Sequence, residues 1–331
     1  KINSFEFYRY EDIIKKEDDA GYDKTAFEKM LEIKGDSDHT KLIDMLTDLN
    51  DYSIGIEDVL KEHFDEENIV YWMAFQILMG NVDTQNRNVY LYSPLNSDIW
   101  YFIAWDNDGC LMRPEYELRN FSDQNSWEKG ISNYWGNILF QRCLKSRSFR
   151  EKLNDAILDL REYLNKDMLT SKIESYKNVL KPYLYLMPDA EYEPLTSEQY
   201  DQIAASLPDE IEKNYQLYLE SLETPMPFYI GVPTIDGNKL KFNWDVSYDL
   251  DAEDITYSVE VAGDYLFRDV IYQNTTLTVP EAEMDLPKAG QYFVRVRATN
   301  TSGKTQDAFD YYVTDEGKHY GMKCFYITED S

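Results

Sequence analysis

Asp83 and Asn88 stand five residues apart in "NVDTQNRN", which runs at once into the apolar alternation "VYLY". Asp106 and Asp108 stand in "DNDG", directly after a second apolar run, "IWYFIAW". Carboxylate and amide oxygens are hard donors that suit Mg²⁺ or Mn²⁺ carrying phosphate oxygens. A carboxylate beside such a centre can accept or orient the proton of an incoming hydroxyl. Asp and Asn are also ordinary turn formers, and an isolated pair at this spacing arises by chance in most chains. Geometry gives the pair its meaning. If 89–93 and 99–105 form an antiparallel hairpin centred near Ser97, residues whose numbers sum to about 194 face each other. Asn88 and Asp106 then lie side by side at the open end, next to the loop that holds Asp83.

The elements that must position these residues are mostly helices. "DEENIVYWMAFQILMG" opens on an acidic first turn, is apolar on nearly every face, and ends at Gly80, a good residue just past a helix. Such a helix is buried on most sides. "HTKLIDMLTDLN" reads as an amphipathic helix with Ser37 or Asp38 as its cap. Residues 137–165 read as one long helix or two, and the stretch up to about 222 adds two or three more. Tyr183, Tyr185, Tyr192, Tyr200, Tyr215 and Tyr218, at near-helical spacings, are expected in the core and at its rim. No internal repeat or low-complexity tract interrupts the pattern.

A buried helix, a loop with Asp-x-x-x-x-Asn, a hairpin and a metal-binding Asp before Gly follow one another in the catalytic lobe of protein kinases. Here the usual His-Arg ahead of the loop aspartate is replaced by Asn81-Val82, and Asp-Phe-Gly by Asp106-Asn107-Asp108-Gly109. More specifically, "MAFQILMGNVDTQNRNVYLYSP", "WYFIAWDNDG" and "NILFQRCLKSRSFREKL" resemble the spore-coat CotH kinase family, atypical secreted or surface-associated protein kinases, over roughly 1–222. By position the resemblance implies that Asp83 is the catalytic aspartate. Asn88 and Asp106 are the metal ligands it implies, with Asp108 an auxiliary one. It implies ATP with Mg²⁺ or Mn²⁺, transfer to Ser or Thr of a protein, and an extracellular, cell-surface or spore-coat location.

No Gly-rich phosphate loop and no Val-Ala-Ile-Lys-like strand precede Asp83, so no nucleotide-binding residue is assigned. Lys1–Tyr10 is expected to be the last strand of a nucleotide-gripping lobe lying upstream. The chain opens on Lys1 without a signal peptide. The expectation is a catalytic-lobe fragment, 1–222, that alone binds nucleotide weakly or not at all.

At "LETPMPFYIGVP" prolines end the helical pattern. From 225 to 331, "KLKFNWDV", "ITYSVEVA", "TTLTVP", "QYFVRVRATN" and "AFDYYVT" alternate as strands between turn signals, the pattern of an immunoglobulin-like sandwich. Trp244 and "GQYFVRVRATNTSG" are similar to fibronectin type III domains. The expected class is therefore α+β: a mostly helical kinase-like lobe with a catalytic hairpin, followed by an all-β sandwich. Two further features have two readings each. Asp249, Asp251, Glu253 and Glu260 have calcium-loop offsets, but Asp254 stands where such a loop needs Gly, which favours an acidic turn. In 114–137, Trp127, Tyr134 and Trp135 either grip a peptide or anchor a long loop on the body.

Composition narrows the partners. The 331 residues carry a net charge of −29, which repels phosphate backbones and argues against nucleic acid. Three Cys without metal spacing and three scattered His define neither a disulfide framework nor a zinc site. No apolar run approaches the ~20 residues of a membrane span. Two functions follow from these residues: an ATP-dependent protein kinase with an appended sandwich, or a non-catalytic surface or spore-coat protein. In the second, a kinase-like body is a scaffold and the sandwich binds a surface partner.

Overall fold

The structure, a computed structural model, describes residues 1–35, 38–118, 127–315 and 317–328. Two compact units divide the chain. Lys1–Ser122 and Asn137–Tyr218 form the first, and Asp123–Gly136 and Leu219–Ser331 the second.

The first unit is helical around one hairpin. In chain order it carries α1 (Lys24–Met30), α2 (Thr40–Asn50), α3 (Ile56–His63), α4 (Glu66–Leu78), β1 (Val89–Tyr92), β2 (Tyr101–Ala104) and α5 (Arg113–Leu118). There follow α6 (Ile138–Lys145), α7 (Arg147–Tyr163), α8 (Lys166–Leu184), α9 (Ser197–Ser206) and α10 (Glu210–Leu222), of which the part up to Tyr218 belongs to this unit. Helix α4 is its axis. Asp65 caps it by accepting from the Asn68 N–H at 2.9 Å, and Ile69, Val70, Trp72, Met73, Ala74, Ile77 and Leu78 are all buried. Trp72 stacks on Phe140 of α6, ring centroids 5.6 Å apart, and lies 4.7 Å from Phe102 of β2. An apolar surface on every side leaves such a helix no stable place but a core.

Lys1–Tyr10 forms no strand. Ile2 bridges Leu31 and Val89, Phe5 and Phe7 are buried, and Phe7 and Tyr10 have positive φ. Residues that bend this way cannot stay in a sheet, so the stretch packs as irregular chain beneath the helices. The expected α2 cap at Asp38 makes a turn instead, accepting from Thr40 N–H at 2.9 Å while His39 occupies the flanking position; Ser37 lies outside the described residues. Of the tyrosine set, Tyr218 is buried, but Tyr183 is 67% exposed, because α8 buries only Leu169, and Tyr192, in the connection after α8, is 79% exposed.

Residues 137–165 are two helices, α6 and α7. Ser146 separates them in extended backbone (ψ 123°), and its Oγ accepts from the Phe149 N–H at 3.2 Å. The same hydroxyl donates to Glu57, and that hydrogen bond holds the Glu57 carboxyl below the usual carboxylate range.

The second unit is built on antiparallel sheets. β3 (Thr234–Asp236), β4 (Lys239–Asn243) and β7 (Glu281–Asp285) form one sheet in the order β3-β4-β7. β5 (Ile255–Ala262), β6 (Val270–Leu277), β8 (Gly290–Asn300), β9 (Thr305–Asp307) and β12 (Met322–Ile327) form the other. Its order is β12-β8-β5-β6, with β9 also on β8. β10 (Tyr311–Thr314) and β11 (Gly317–Tyr320) make a separate hairpin. Leu240, Phe242 and Trp244 from the first sheet side share one core with Val259, Val261, Val294, Val296 and Phe325 from the second. Alternation explains this, since period-2 strands each offer one apolar face and two such faces bury each other.

The acidic stretch before β5 is a turn held by the protein itself. Asp249 accepts from the N–H groups of Asp251 and Glu253 and from Asn300 Nδ2 at 3.0 Å. Glu253 accepts from Ser302, and Glu260 pairs with Arg295 at 2.6 Å. With three of its four carboxylates engaged this way, the calcium reading gives way to the acidic turn. Trp127, Tyr134 and Trp135 are buried, and within the second unit Trp127 meets Phe309 at 5.1 Å and Trp135 stacks on Tyr248 at 5.4 Å. These rings anchor rather than grip; residues 119–126 of that stretch lie outside the described residues.

Replacing Ser146 by Ala tests the α6–α7 break. Loss of this cap is expected to cost about 1 kcal/mol in urea unfolding. The Glu57 carboxyl has a lowered folded pKa, so its share of that cost is complete above the ordinary carboxylate range. That share disappears as pH falls through the lowered value. An equal deficit at all pH values would show that the Ser146–Glu57 bond contributes nothing.

Candidate active site

Met79 caps helix α4, and Gly80 (φ 62°) turns the chain into the Asp83 loop. The turn is tightly surrounded. A Cβ on Gly80 would sit 2.8 Å from Asn214 Nδ2, so glycine is needed here for both backbone and space. Asp83 opens a short 3₁₀ turn, Asp83–Gln85, and its backbone N–H donates to Asn81 Oδ1 at 3.3 Å.

Asn81, which stands ahead of Asp83 where a kinase has its His-Arg, is buried and joins two loops. Its Nδ2 donates to Gln76 Oε1 at 3.0 Å and to Asn107 Oδ1 at 3.4 Å. Gln76, also buried, donates to the same Asn107 oxygen at 3.3 Å. Leu111 N–H closes the other side on Met79 O at 2.8 Å. Gly109 then lies against the Asp83 loop, where a Cβ would meet Asn81 Oδ1 at 3.1 Å and Asp83 Oδ2 at 3.7 Å. The structure thus brings the loop of Asp83 and the turn of Asp106–Gly109 into contact. Buried amides that satisfy one another hold a geometry better than exposed ones, because breaking any one strands its partners away from water.

The hairpin forms, with one correction. Val89 faces Ala104 and Tyr92 faces Tyr101, so paired numbers sum to 193 rather than 194. The cause lies outside the hairpin. Asn68 of α4 takes both backbone groups of Phe102, accepting from its N–H at 2.7 Å and donating to its C=O at 3.1 Å, which fixes β2 on the helix. Continued two steps past Val89 and Ala104, this register sets Asp106 opposite Arg87, not Asn88. Asn88 and Asp106 nevertheless both flank the open end, and each leaves its strand in left-handed backbone, φ 57° and 56°. Asn and Asp tolerate that region best among residues with a side chain, yet it is a strained choice of the kind that gathers at functional sites. Asp108 follows within the 3₁₀ turn Asn107–Gly109.

Asp83 is partly open, its side chain 32% exposed, and Arg87 pairs with its Oδ1. Among the described residues no three His, Cys, Asp or Glu side chains gather as a metal cluster. The donors near the open end, Asn88, Asp106 and Asp108, are all hard oxygens, a set that fits Mg²⁺ or Mn²⁺ sharing its shell with phosphate oxygens and water.

A second network reaches the segment after the turn. Arg113, at the start of α5, donates to Glu210 Oε2 at 3.0 Å and to Asn214 Oδ1 at 2.8 Å, and Asn214 Nδ2 donates to Leu78 O at 2.8 Å. Glu210 and Asn214 are both buried. Sequence reasoning missed Asn68, Gln76, Asn81, Arg113, Glu210 and Asn214. Gln76 alone carried a signal, as the polar residue in an otherwise apolar half of α4.

A sequence model of the family described as CotH kinase protein matches residues 3–218. No curated protein matches. Among solved structures, the chain is similar to the twitchin kinase region from C. elegans (Fn31-NL-kin-CRD-Ig26). The identity is 16% and the TM-score 0.22, over 29% of this chain and 20% of that one. It is also similar to surface layer protein SbsC, domains 1–6, at 12% identity and a TM-score of 0.19, over 92% of this chain and 36% of that one. The chain thus spans well under two thirds of either protein, and likeness at these scores carries no argument about fold.

Cys110 reports on the integrity of the turn. Burial pushes its thiol up to about 12, the Asp108 charge adds to that, and a hydrogen bond with Asn81 opposes it. The thiol is therefore protonated at pH 8 and is expected to resist iodoacetamide in the folded chain and react in urea. Alkylation of the native protein at the unfolded rate would show that the turn is open in solution.

Proposed function

Because the chain belongs to the CotH kinase protein family, we propose that it contains the catalytic lobe of an ATP-dependent atypical kinase that phosphorylates Ser or Thr of a protein. The observation that carries this reading is the seam of amides in which buried Gln76 and Asn81 grip half-buried Asn107 and so hold the Asp83 loop against the turn of Asp106. Phosphoryl transfer asks little covalent chemistry of the protein and much positioning. A hydroxyl oxygen attacks the γ-phosphorus, the bond to the ADP oxygen breaks, and Asp83 orients the hydroxyl and receives its proton. Arg87 holds one oxygen of Asp83 and leaves the other toward the Gly109 turn. Asn88 and Asp106, with Asp108 beside them, would hold a Mg²⁺ or Mn²⁺ ion. The ion, when bound, supplies charge neutralisation for the β- and γ-phosphates.

The proposal extends to the second unit. The strand orders β3-β4-β7 and β12-β8-β5-β6, around one core, support a fibronectin type III-like module that presents the lobe to a surface partner. An extracellular or spore-coat setting rests on family membership. No helix of the described residues is long and apolar enough to cross a membrane. A non-catalytic scaffold is the second reading. The ion pair that already occupies Asp83 favours that one.

Transfer of labelled phosphate from ATP to protein, by the full-length protein with Mn²⁺ or Mg²⁺, separates the two. Asp83→Ala and Asp106→Ala are each expected to lower transfer about 10²–10⁴-fold; Asp106→Ala is also expected to lower the unfolding midpoint, because Ala tolerates the left-handed backbone there less well than Asp. Wild-type transfer rates in both variants would remove these residues from the site, and absence of transfer by the parent protein would favour the scaffold.

A further inference from the structure

Independently of the kinase reading, we propose that the outer face of α8 packs antiparallel on the same face of a second copy of this chain, forming a two-fold dimer. Helix α8 is turned the reverse of a usual surface helix. Two of its lysines face the body: Lys181 Nζ pairs with Asp201 of α9 at 2.6 Å, and Lys177 lies 4.0 Å from the same carboxylate. Its apolar side chains face out. Tyr176, Val179, Leu180 and Tyr183, with Leu186 and Met187 just past the helix end, are each more than half exposed. Leu169, Ile173, Tyr176, Leu180, Tyr183 and Met187 follow one another at alternating spacings of four and three, the seam by which one helix packs along another. Helix α8 packs chiefly on α9 and on the turns Asp189–Glu191 and Leu207–Asp209, whereas Lys1 and Ile2 are held by Glu32, Leu31 and Val89.

The order of the residues identifies the occupant. From its centre outward the stripe has the same residue classes in both directions: Val179 and Leu180, then Tyr176 and Tyr183, then Ile173 and Leu186. Two antiparallel copies related by a two-fold axis set each residue opposite one whose number makes the same sum. Tyr176 of each copy then meets Tyr183 of the other, and Leu180 lies against its own counterpart. A lipid surface or an unrelated protein would ask only for apolar area; the mirrored order is what a second copy of the same helix requires. Area and charge agree. The six exposed side chains present about 700 Å², above the largest apolar patch of a typical monomer and near the ~800 Å² that one partner gives to a standard interface. At a net charge of −29 two copies repel over most of their surface, but α8 holds four Lys against one Asp and one Glu.

Sedimentation velocity of the full-length protein is expected to show a dimer at micromolar concentration. Tyr183→Glu should raise the dimer dissociation constant at least about tenfold, and its exposed position should leave the circular dichroism spectrum unchanged. Adding Tyr176→Lys to that variant should restore the dimer, because the antiparallel register sets the new base of each copy against the new acid of the other. Within one copy the two positions are seven residues apart on the helix, too far to pair. A parent protein that stays monomeric at about 100 µM overturns the proposal without any variant. Flotation of that monomer with phosphatidylcholine vesicles would give the stripe to a lipid surface instead. A dimer indifferent to Y183E also overturns it, and failure of the double variant to recover overturns the antiparallel two-fold packing.

Discussion

Helix α4 ends inside a core, and its last carbonyls must find donors there. Burial forbids water, and each unsatisfied carbonyl would cost on the order of 1–3 kcal/mol. The donors come from three distant parts of the chain: Asn81 N–H reaches Gln76 O, Asn214 Nδ2 reaches Leu78 O, and Leu111 N–H reaches Met79 O. Satisfying one helix end therefore draws together the Asp83 loop, the segment after the Asp106 turn, and α10. Gly80 is where the backbone makes room for this, and its contact with Asn214 ties the turn to α10.

The polar cluster that results is nearly all amide. Gln76, Asn81 and Asn214, with half-buried Asn107 at their edge, carry no charge, so they can leave water without the desolvation penalty that carboxylates would bring. The charged groups sit at its margins. Asp83 is partly open beside Arg87, and Glu210 is buried with two cations against it, Arg113 and Lys213. A neutral, rigid interior beneath a partly solvated acid is a sound platform for chemistry that depends on placing charge rather than storing it. The left-handed backbone at Asn88 and Asp106 fits the same logic, since strain persists only where the surroundings over-determine it.

Long alternating strands and apolar helices were legible in the residues. The buried α4, the hairpin, the helix-to-strand switch near the prolines and the strands β4, β5 and β8 all follow from period and turn chemistry. Strands β3, β9 and β11 span only three or four residues, and β7 is largely acidic. Each is recruited by pairing with a neighbour, which no local pattern announces. The Asp83–Asn88 and Asp106–Asp108 motifs were likewise legible. The register between them was wrong by one, because Asn68 on another element fixes β2.

By itself the sequence determined which residues are available for chemistry, that the chain is α+β, and that its loops follow the order of a kinase-like lobe. Those properties depend on residue type and on spacing along the chain. Tertiary structure alone decided which side chains meet: that Asn81 and Gln76 grip Asn107, that Arg87 takes Asp83, that Trp127 and Trp135 are anchors. The reason is that a hydrogen-bond partner is chosen by distance in space, and partners such as Arg113 and Glu210, ninety-seven residues apart, share no local signal.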